Sequence, residues 1–154
     1  MQKFTAHLRV LVLDGARALI LRNEGTAAAP DLKLERDYAQ DNPPTHDQGT
    51  AVPGRVNDSM GRRSAMETTD WHQVAEDRFV ERLADEMAKD LAAGVYQHLV
   101  VVAPPIALST FRKRLQPSVR AAIILEIDKD LTKHPAKEIT KLVAKALEAA
   151  PAPR

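Results

Sequence analysis

Alternating and periodic apolar residues divide this chain into short strands and amphipathic helices. Residues 8–13 (LRVLVL) and 16–22 (ARALILR) are β-rich runs, and Asp14-Gly15 between them adopts a two-residue hairpin turn at little cost. Residues 32–38 (LKLERDY) predict a third strand. The first part of the chain is therefore expected to form a three-stranded meander. Turn formation is the favoured role of Asp14 in it, and catalysis is the alternative.

A long polar segment separates this meander from the first predicted helix. Residues 39–69 show neither a helical nor a strand period and contain several prolines and glycines. Loops longer than about 12–15 residues inside compact domains are usually functional or disordered. A helix is predicted from Asp70, where Gln73 can close a capping box, to Gly94. Its apolar stripe consists of Trp71, Ala75, Phe79, Leu83, Met87 and Leu91.

The second half of the chain alternates apolar runs with helices. Residues 98–103 (HLVVVA) and 121–127 (AAIILEI) are typical of strands covered on both faces, with a short basic helix predicted at 106–115. A last helix is expected after Pro135. The order β-β-β-α-β-α-β-α predicts an α/β fold, a single-domain mixed five-stranded sheet with helices on both faces, in the ribonuclease-H-like arrangement. Residues 1–150 should form this domain, and residues 151–154 a frayed tail.

The composition predicts the character of the core and excludes several kinds of site. Hydrophobic residues make up 44% of the chain but aromatic residues only 4%, so the core must be mostly aliphatic. The absence of cysteine excludes disulfides, cysteine-based zinc sites and thiol nucleophiles. No apolar run reaches the roughly 18 residues of a membrane span, and residues 1–13 do not resemble a signal peptide. We expect a cytoplasmic protein without a membrane partner, and the oligomeric state stays open.

Two basic clusters are candidates for binding the phosphates of RNA. The net charge of +1 gives no global basic field, so any such contact requires a local patch. Glycines let a backbone approach a phosphate closely, and arginines hold it with two hydrogen bonds. The first cluster, in the polar segment, consists of Gly54, Arg55, Gly61, Arg62 and Arg63. The second contains Arg112 and Arg114, which cannot share one helix face. The alternatives are a flexible solvated loop for the first cluster and a solvated face for the second.

Acidic and metal-ligating residues indicate a catalytic or metal site less clearly than the arginines indicate a phosphate site. A ribonuclease-H-type nuclease needs several carboxylates around two metal ions, beginning with an acid within the first strand. Here the only acid near that strand is the turn residue Asp14, which could form an acidic cluster with Asp128, and no spacing forces Asp130 or other acids to join them. The five histidines form no His-x-x-x-His pair, and no Gly-x-Ser-x-Gly elbow occurs. No metal and no cofactor are predicted.

Several separated segments resemble one known family. They are LVLDGARALILRNEG, PGRVNDSMGRRSAMETTDWHQVAEDRFVERLADEM, HLVVVAPPIALSTFRKRL and EIDKDLTKHP. Together they resemble the host attachment proteins, a bacterial family also called "protein required for attachment to host cells". That family is similar to the middle domain of archaeal and eukaryotic class-I peptide-chain release factors. The resemblance implies a ribonuclease-H-like fold. It also implies that the loop before the long helix corresponds to the release-factor loop in which Gly-Gly-Gln promotes hydrolysis of peptidyl-tRNA.

The sequence departs from release factors at the motif that carries their chemistry. It contains no Gly-Gly-Gln, and Gln40 and Gln48 are the only glutamines of the polar segment. The favoured hypothesis is therefore a non-catalytic or weakly catalytic RNA-, tRNA- or ribosome-associated module related to translation release or rescue. One alternative is a metal-assisted nuclease or peptidyl-tRNA hydrolase that uses Asp14 and Asp128. The other is a protein-interaction factor in attachment to host cells.

Overall fold

The chain begins with the predicted antiparallel meander. The computed structural model describes residues 7–26, 29–40 and 57–149, without the side chains of residues 57–70. Strand β1 spans Leu8–Leu13, β2 spans Arg17–Asn23 and β3 spans Leu32–Ala39. β1 pairs antiparallel with β2, and β2 pairs antiparallel with β3. The amide of Asp14 donates to the carbonyl of Arg17 at 2.9 Å and closes the first turn.

Helices and strands then alternate along the rest of the chain. Helix α1 spans Asn57–Ala92, β4 spans His98–Ala103, α2 spans Pro105–Arg114, α3 spans Pro117–Ala122, β5 spans Ile123–Asp128 and α4 spans Ala136–Ala149. The strand order in the sheet is β3-β2-β1-β4-β5. β4 is parallel to both β1 and β5. The prediction of an α/β domain with a mixed five-stranded sheet is confirmed.

Both faces of the sheet are covered, because apolar side chains point to alternate sides of each strand. One face packs against α1, α2 and α3 in a cluster that includes Leu11, Leu13, Ile20, Phe79, Leu83 and Phe111. The other face packs against α4 in a cluster that includes Val10, Val12, Leu21, Val100, Ile139 and Val143. Helices therefore lie on both faces, as the sequence predicted.

The long helix corrects the predicted extent of the polar segment. α1 begins at Asn57 and not at Asp70, so residues 57–69 are helical and Asp70-Gln73 is not a helix start. Gly61, serines and threonines disfavour a helix there, but Met, Arg, Ala and Glu favour it. The sequence interpretation gave too much weight to the first group. Residues 41–56 and the predicted tail at 151–154 lie outside the described residues.

A second correction concerns the segment before β5. The sequence predicted a strand from residue 121, but Pro117–Ala122 forms the short helix α3 and the strand begins at Ile123. Pro117 suits the first turn of a helix, where its missing amide proton costs nothing, and alanines favour a helix. The unbroken apolar run from Ala121 onward concealed this boundary.

Helix α1 extends beyond the sheet. Its 36 residues span about 54 Å, whereas the eight residues of β3 span about 27 Å. The Glu76 side chain lies on Gly15, at the carboxyl end of β1, where an added Cβ would be 2.8 Å from Glu76 Cδ. The part of α1 that precedes Glu76 therefore continues past the carboxyl end of the sheet. We call it the α1 arm (residues 57–75).

Candidate functional site

Asp14 is held at the carboxyl end of β1 by three hydrogen bonds. Its Oδ1 accepts from the amides of Ala16 and Arg17, both at 2.8 Å. Its Oδ2 accepts from the hydroxyl of Thr132 at 3.0 Å. Thr132 is only 2% exposed and follows β5, so this contact joins the first turn to the connection between β5 and α4. The geometry supports the turn role of Asp14.

A second carboxylate meets the same hydroxyl. Asp130 Oδ1 lies 2.9 Å from Thr132 Oγ1 and also accepts from the backbone amide of Thr132 at 3.2 Å. A hydroxyl carries one proton, so Thr132 can donate to only one of the two carboxylates at a time. The structure therefore brings Asp130 to Asp14. The sequence had named Asp130 as available but gave no reason for this pairing.

Asp128, the predicted partner of Asp14, lies at the same edge of the sheet but on β5, two strands away from β1. It is exposed at the end of β5, opposite Ala103 of β4. Because β4 separates β1 from β5, two strand spacings, or about 10 Å, separate the backbones that carry the two acids. Within the described part of the chain, no group of three or more His, Cys, Asp or Glu residues is arranged to hold a metal ion.

A cleft opens at the carboxyl edge of the sheet, on the face that packs against α1 and α2. It has a volume of about 440 Å³ and lies between the Asp14-Gly15 turn, helix α1 and the start of α2. Its walls are mainly apolar, from Val80, Pro105 and Ile106. Its polar groups come from α1 and are Gln73, Glu76 and Asp77. Sequence reasoning missed this cleft, because its walls come from three separated segments.

The arginines of the second predicted basic cluster form ion pairs with two different elements, β5 and α1. Arg112 Nε donates to Glu126 of β5 at 2.9 Å, and Arg114 forms two hydrogen bonds of 3.1 Å to Asp85 of α1. These hydrogen bonds raise the pKa of both guanidinium groups. The two arginines point to different neighbours, as expected from residues that cannot share a helix face. Arg120 donates to the carbonyl of Arg112 at 3.1 Å, which places another cation beside Arg112.

These ion pairs leave the arginines accessible. The side chains of Arg112 and Arg114 are 54% and 51% exposed. Exposed ion pairs contribute about 0–1 kcal/mol each, so a phosphate could replace Glu126 or Asp85 at little cost. Lys113, between them, is also exposed and forms no hydrogen bond or ion pair with the residues that the structure describes.

The part of the first predicted cluster that the structure describes lies far from the second. Gly61, Arg62 and Arg63 belong to the α1 arm, although the structure does not describe their side chains. Gly54 and Arg55 fall outside the described residues. Helix α2 runs back from the carboxyl edge of the sheet toward Arg112 and Arg114, whereas the arm continues in the other direction. The two clusters therefore do not combine into one patch.

Comparisons with known proteins were made at the level of whole sequences, solved structures and families. Of the helices that the structure describes, none has the length and apolar character to cross a membrane. No curated protein matches the chain. Among solved structures, the crystal structure of an archaeal translation termination factor, aRF1, is similar at 12% sequence identity, with a TM-score of 0.46. The similarity covers 92% of this chain and 39% of the archaeal one, so the chain spans well under half of that factor.

The family assignment depends on a family model that covers most of the chain. The model for the bacterial archaeo-eukaryotic release factor family 12 matches residues 7–143. This match confirms the release-factor part of the resemblance, whereas the host-attachment part stays a prediction. The chain belongs to the bacterial archaeo-eukaryotic release factor family 12.

Proposed function

We propose that this protein binds RNA beside or on the ribosome, in a role related to translation release or rescue. The observation that carries the proposal is the α1 arm, a helical extension past the sheet that includes Arg62 and Arg63. An arm of this kind can contact a recessed RNA surface that the rest of the domain does not enter. Membership in a release-factor family supports a partner in translation.

The phosphate contacts are assigned to arginines on two surfaces. On the arm, Arg62 and Arg63 would contact phosphate, with Arg55 and the glycines Gly54 and Gly61 contributing before and within the helix. On the domain, Arg112 and Arg114 would form a second contact, assisted by Arg120. Because the two surfaces are separated, they are expected to act on different segments of a folded RNA.

The absence of Gly-Gly-Gln argues for binding without hydrolysis. Both carboxylate oxygens of Asp14 already accept hydrogen bonds, from the turn amides and from Thr132, which is a structural role. A role in attachment to host cells would then be an indirect result of altered translation or RNA handling. Detection of the protein on the outer surface of intact cells would contradict this explanation.

The salt dependence of RNA binding tests the proposal. Each lost phosphate contact should reduce the slope of log K against log salt by about 0.7–0.9. The double variant Arg62→Ala/Arg63→Ala and the double variant Arg112→Ala/Arg114→Ala should each flatten the slope for purified ribosomes and for tRNA. Lys141→Ala/Lys145→Ala is the matched control, because it removes two exposed cations from α4 on the other face of the sheet.

The outcomes separate the candidate functions. If neither arginine pair changes affinity or slope more than the lysine pair does, the RNA assignment is wrong. Incubation with peptidyl-tRNA and with structured RNA, with and without magnesium, tests the hydrolase alternative. Cleavage that disappears in Asp14→Asn would favour that alternative over the binding module.

A further inference from the structure

The cleft beside α1 lies at the point where the order of the strands reverses. β2 and β3 lie on one side of β1, and β4 and β5, which follow them in the chain, lie on the other side. Ligands of open α/β sheets commonly bind at such a point, outside the carboxyl ends of the parallel strands. Gly15 follows β1 and Pro104 follows β4, and both line the cleft. Its position is therefore that of a binding site.

The charges inside the cleft have one sign. Glu76 has no hydrogen-bond or ion-pair partner among the residues that the structure describes, and it is only partly buried. Asp77 accepts from two neutral donors, the Gln73 amide at 2.9 Å and the Thr110 hydroxyl at 3.3 Å. No Lys, Arg or His is among the residues that line the cleft. A carboxylate in these surroundings is best complemented by a cation that carries its own donors.

One exposed apolar side chain lines the cleft. Ile106 of α2 is 68% exposed and stands at the rim, beside walls that are mainly apolar. Trp71 and Val74 of α1 are also exposed but do not line the cleft, and the Arg78 guanidinium lies 5.8 Å from the centroid of the Trp71 ring. Apolar surface with a polar rim is typical of protein interaction sites. A small ligand confined to the cleft would leave Ile106 in water.

We infer that the cleft binds a lysine or arginine side chain of a partner protein, presented on a chain segment with neighbouring apolar residues. The methylene stem would lie along Val80, Pro105 and Ile106, and the charged group would reach Glu76. Flanking apolar side chains of the same segment would cover Ile106. This site is independent of the arginines assigned to RNA, so either assignment can fail without the other.

Amide chemical shifts of the full chain, titrated with short peptides, test the inference. The probes are Ac-Leu-Lys-Leu-NH2 and its neutral match Ac-Leu-Gln-Leu-NH2. The lysine peptide should saturably shift the amides of Gly15, Asp77 and Ala107, and it should bind about tenfold more tightly than the glutamine peptide, the difference expected from one charge-assisted contact. Glu76→Gln should abolish that preference, whereas Glu86→Gln on the same helix should preserve it.

A second variant separates a binding effect from a folding effect. Ile106→Ala changes a side chain that is 68% exposed, so the fold should be unaffected while both peptides bind more weakly. Equal binding of the two peptides, or a lysine preference that survives in Glu76→Gln, would overturn the inference. So would n-butylammonium binding as tightly as the lysine peptide, because the site would then be a small-cation pocket and not a docking surface.

Discussion

Removing the Asp14 carboxylate should destabilise the domain through the link between its first turn and its last connection. In Asp14→Ala the amides of Ala16 and Arg17 lose an acceptor at 2.8 Å, and Thr132 loses one of its two carboxylates. Loss of a capping side chain of this kind costs about 1 kcal/mol. The partly buried hydrogen bond from Thr132 adds a loss of about 1 kcal/mol, the value of an ordinary hydrogen bond, because Asp130 can still accept from Thr132.

The expected total is a loss of about 2 kcal/mol in the free energy of unfolding, or about 4–8 °C in Tm for a chain of this size. Asp14→Asn is the control. Its side-chain oxygen can still accept from the turn amides, and its amide can donate to the Thr132 hydroxyl, so it should lose well under half as much. Thr132→Val removes the hydroxyl with little change in volume and tests the other end of the link.

Urea unfolding of the single variants and of Asp14→Ala/Thr132→Val completes a double-mutant cycle. Residues that share a hydrogen bond should show a coupling energy of about 1 kcal/mol. Additive losses in the double variant would refute the link between the turn and Thr132. A loss in Asp14→Asn equal to that in Asp14→Ala would show that the negative charge, and not the acceptor geometry, is what the turn requires.

Two further predictions concern the end of α1 and the residues that follow it. Burial raises the pKa of Tyr96 above the ordinary value of 10.0, and its hydroxyl donates to the carbonyl of Met87 at 2.7 Å. The folded state therefore retains this proton, so the contribution of Tyr96 to stability should be constant below pH 10 and fall above it by about 1.4 kcal/mol per pH unit. Urea unfolding at several alkaline pH values should give a shallower fall for Tyr96→Phe. At Gly94, where φ is 79°, Ala should cost about 1 kcal/mol and Asn less, as judged by thermal unfolding, because Asn tolerates this backbone conformation better.

Local sequence patterns were sufficient to locate the strands. Each predicted strand has an apolar period or an unbroken apolar run, and the turns between them contain residues that favour turns. β1 and β4 have the predicted bounds, and β3 extends one residue beyond them, to Ala39. The helix α1 was misplaced at its start, because a glycine and several hydroxyl residues weaken the pattern over residues 57–69. Helix propensities were close to balanced there, and such a balance cannot fix a boundary.

The candidate site was less accessible to prediction, because its contacts join distant parts of the chain. Asp14 and Thr132 are 118 residues apart, and no local pattern relates them. The sequence analysis paired Asp14 with Asp128, and both acids do follow strands that end at the same edge of the sheet. The choice of Asp130 over Asp128 depends on how the chain turns after β5. The cleft depends in the same way on the packing of α1 against the start of α2.

Helix α2 connects the cleft to the second arginine cluster, and its dipole gives these arginines a further role. The cleft lies at its amino end, and Arg112 and Arg114 lie in its last turn, about 15 Å away. Cations in the last turn stabilise a helix by about 0.3–1 kcal/mol each through the helix dipole, so these arginines have a structural role whether or not RNA binds. A loss of RNA affinity after their removal is therefore informative only when the salt slope also changes. Because the cleft and the arginines occupy opposite ends of the helix, a peptide and an RNA could bind at the same time.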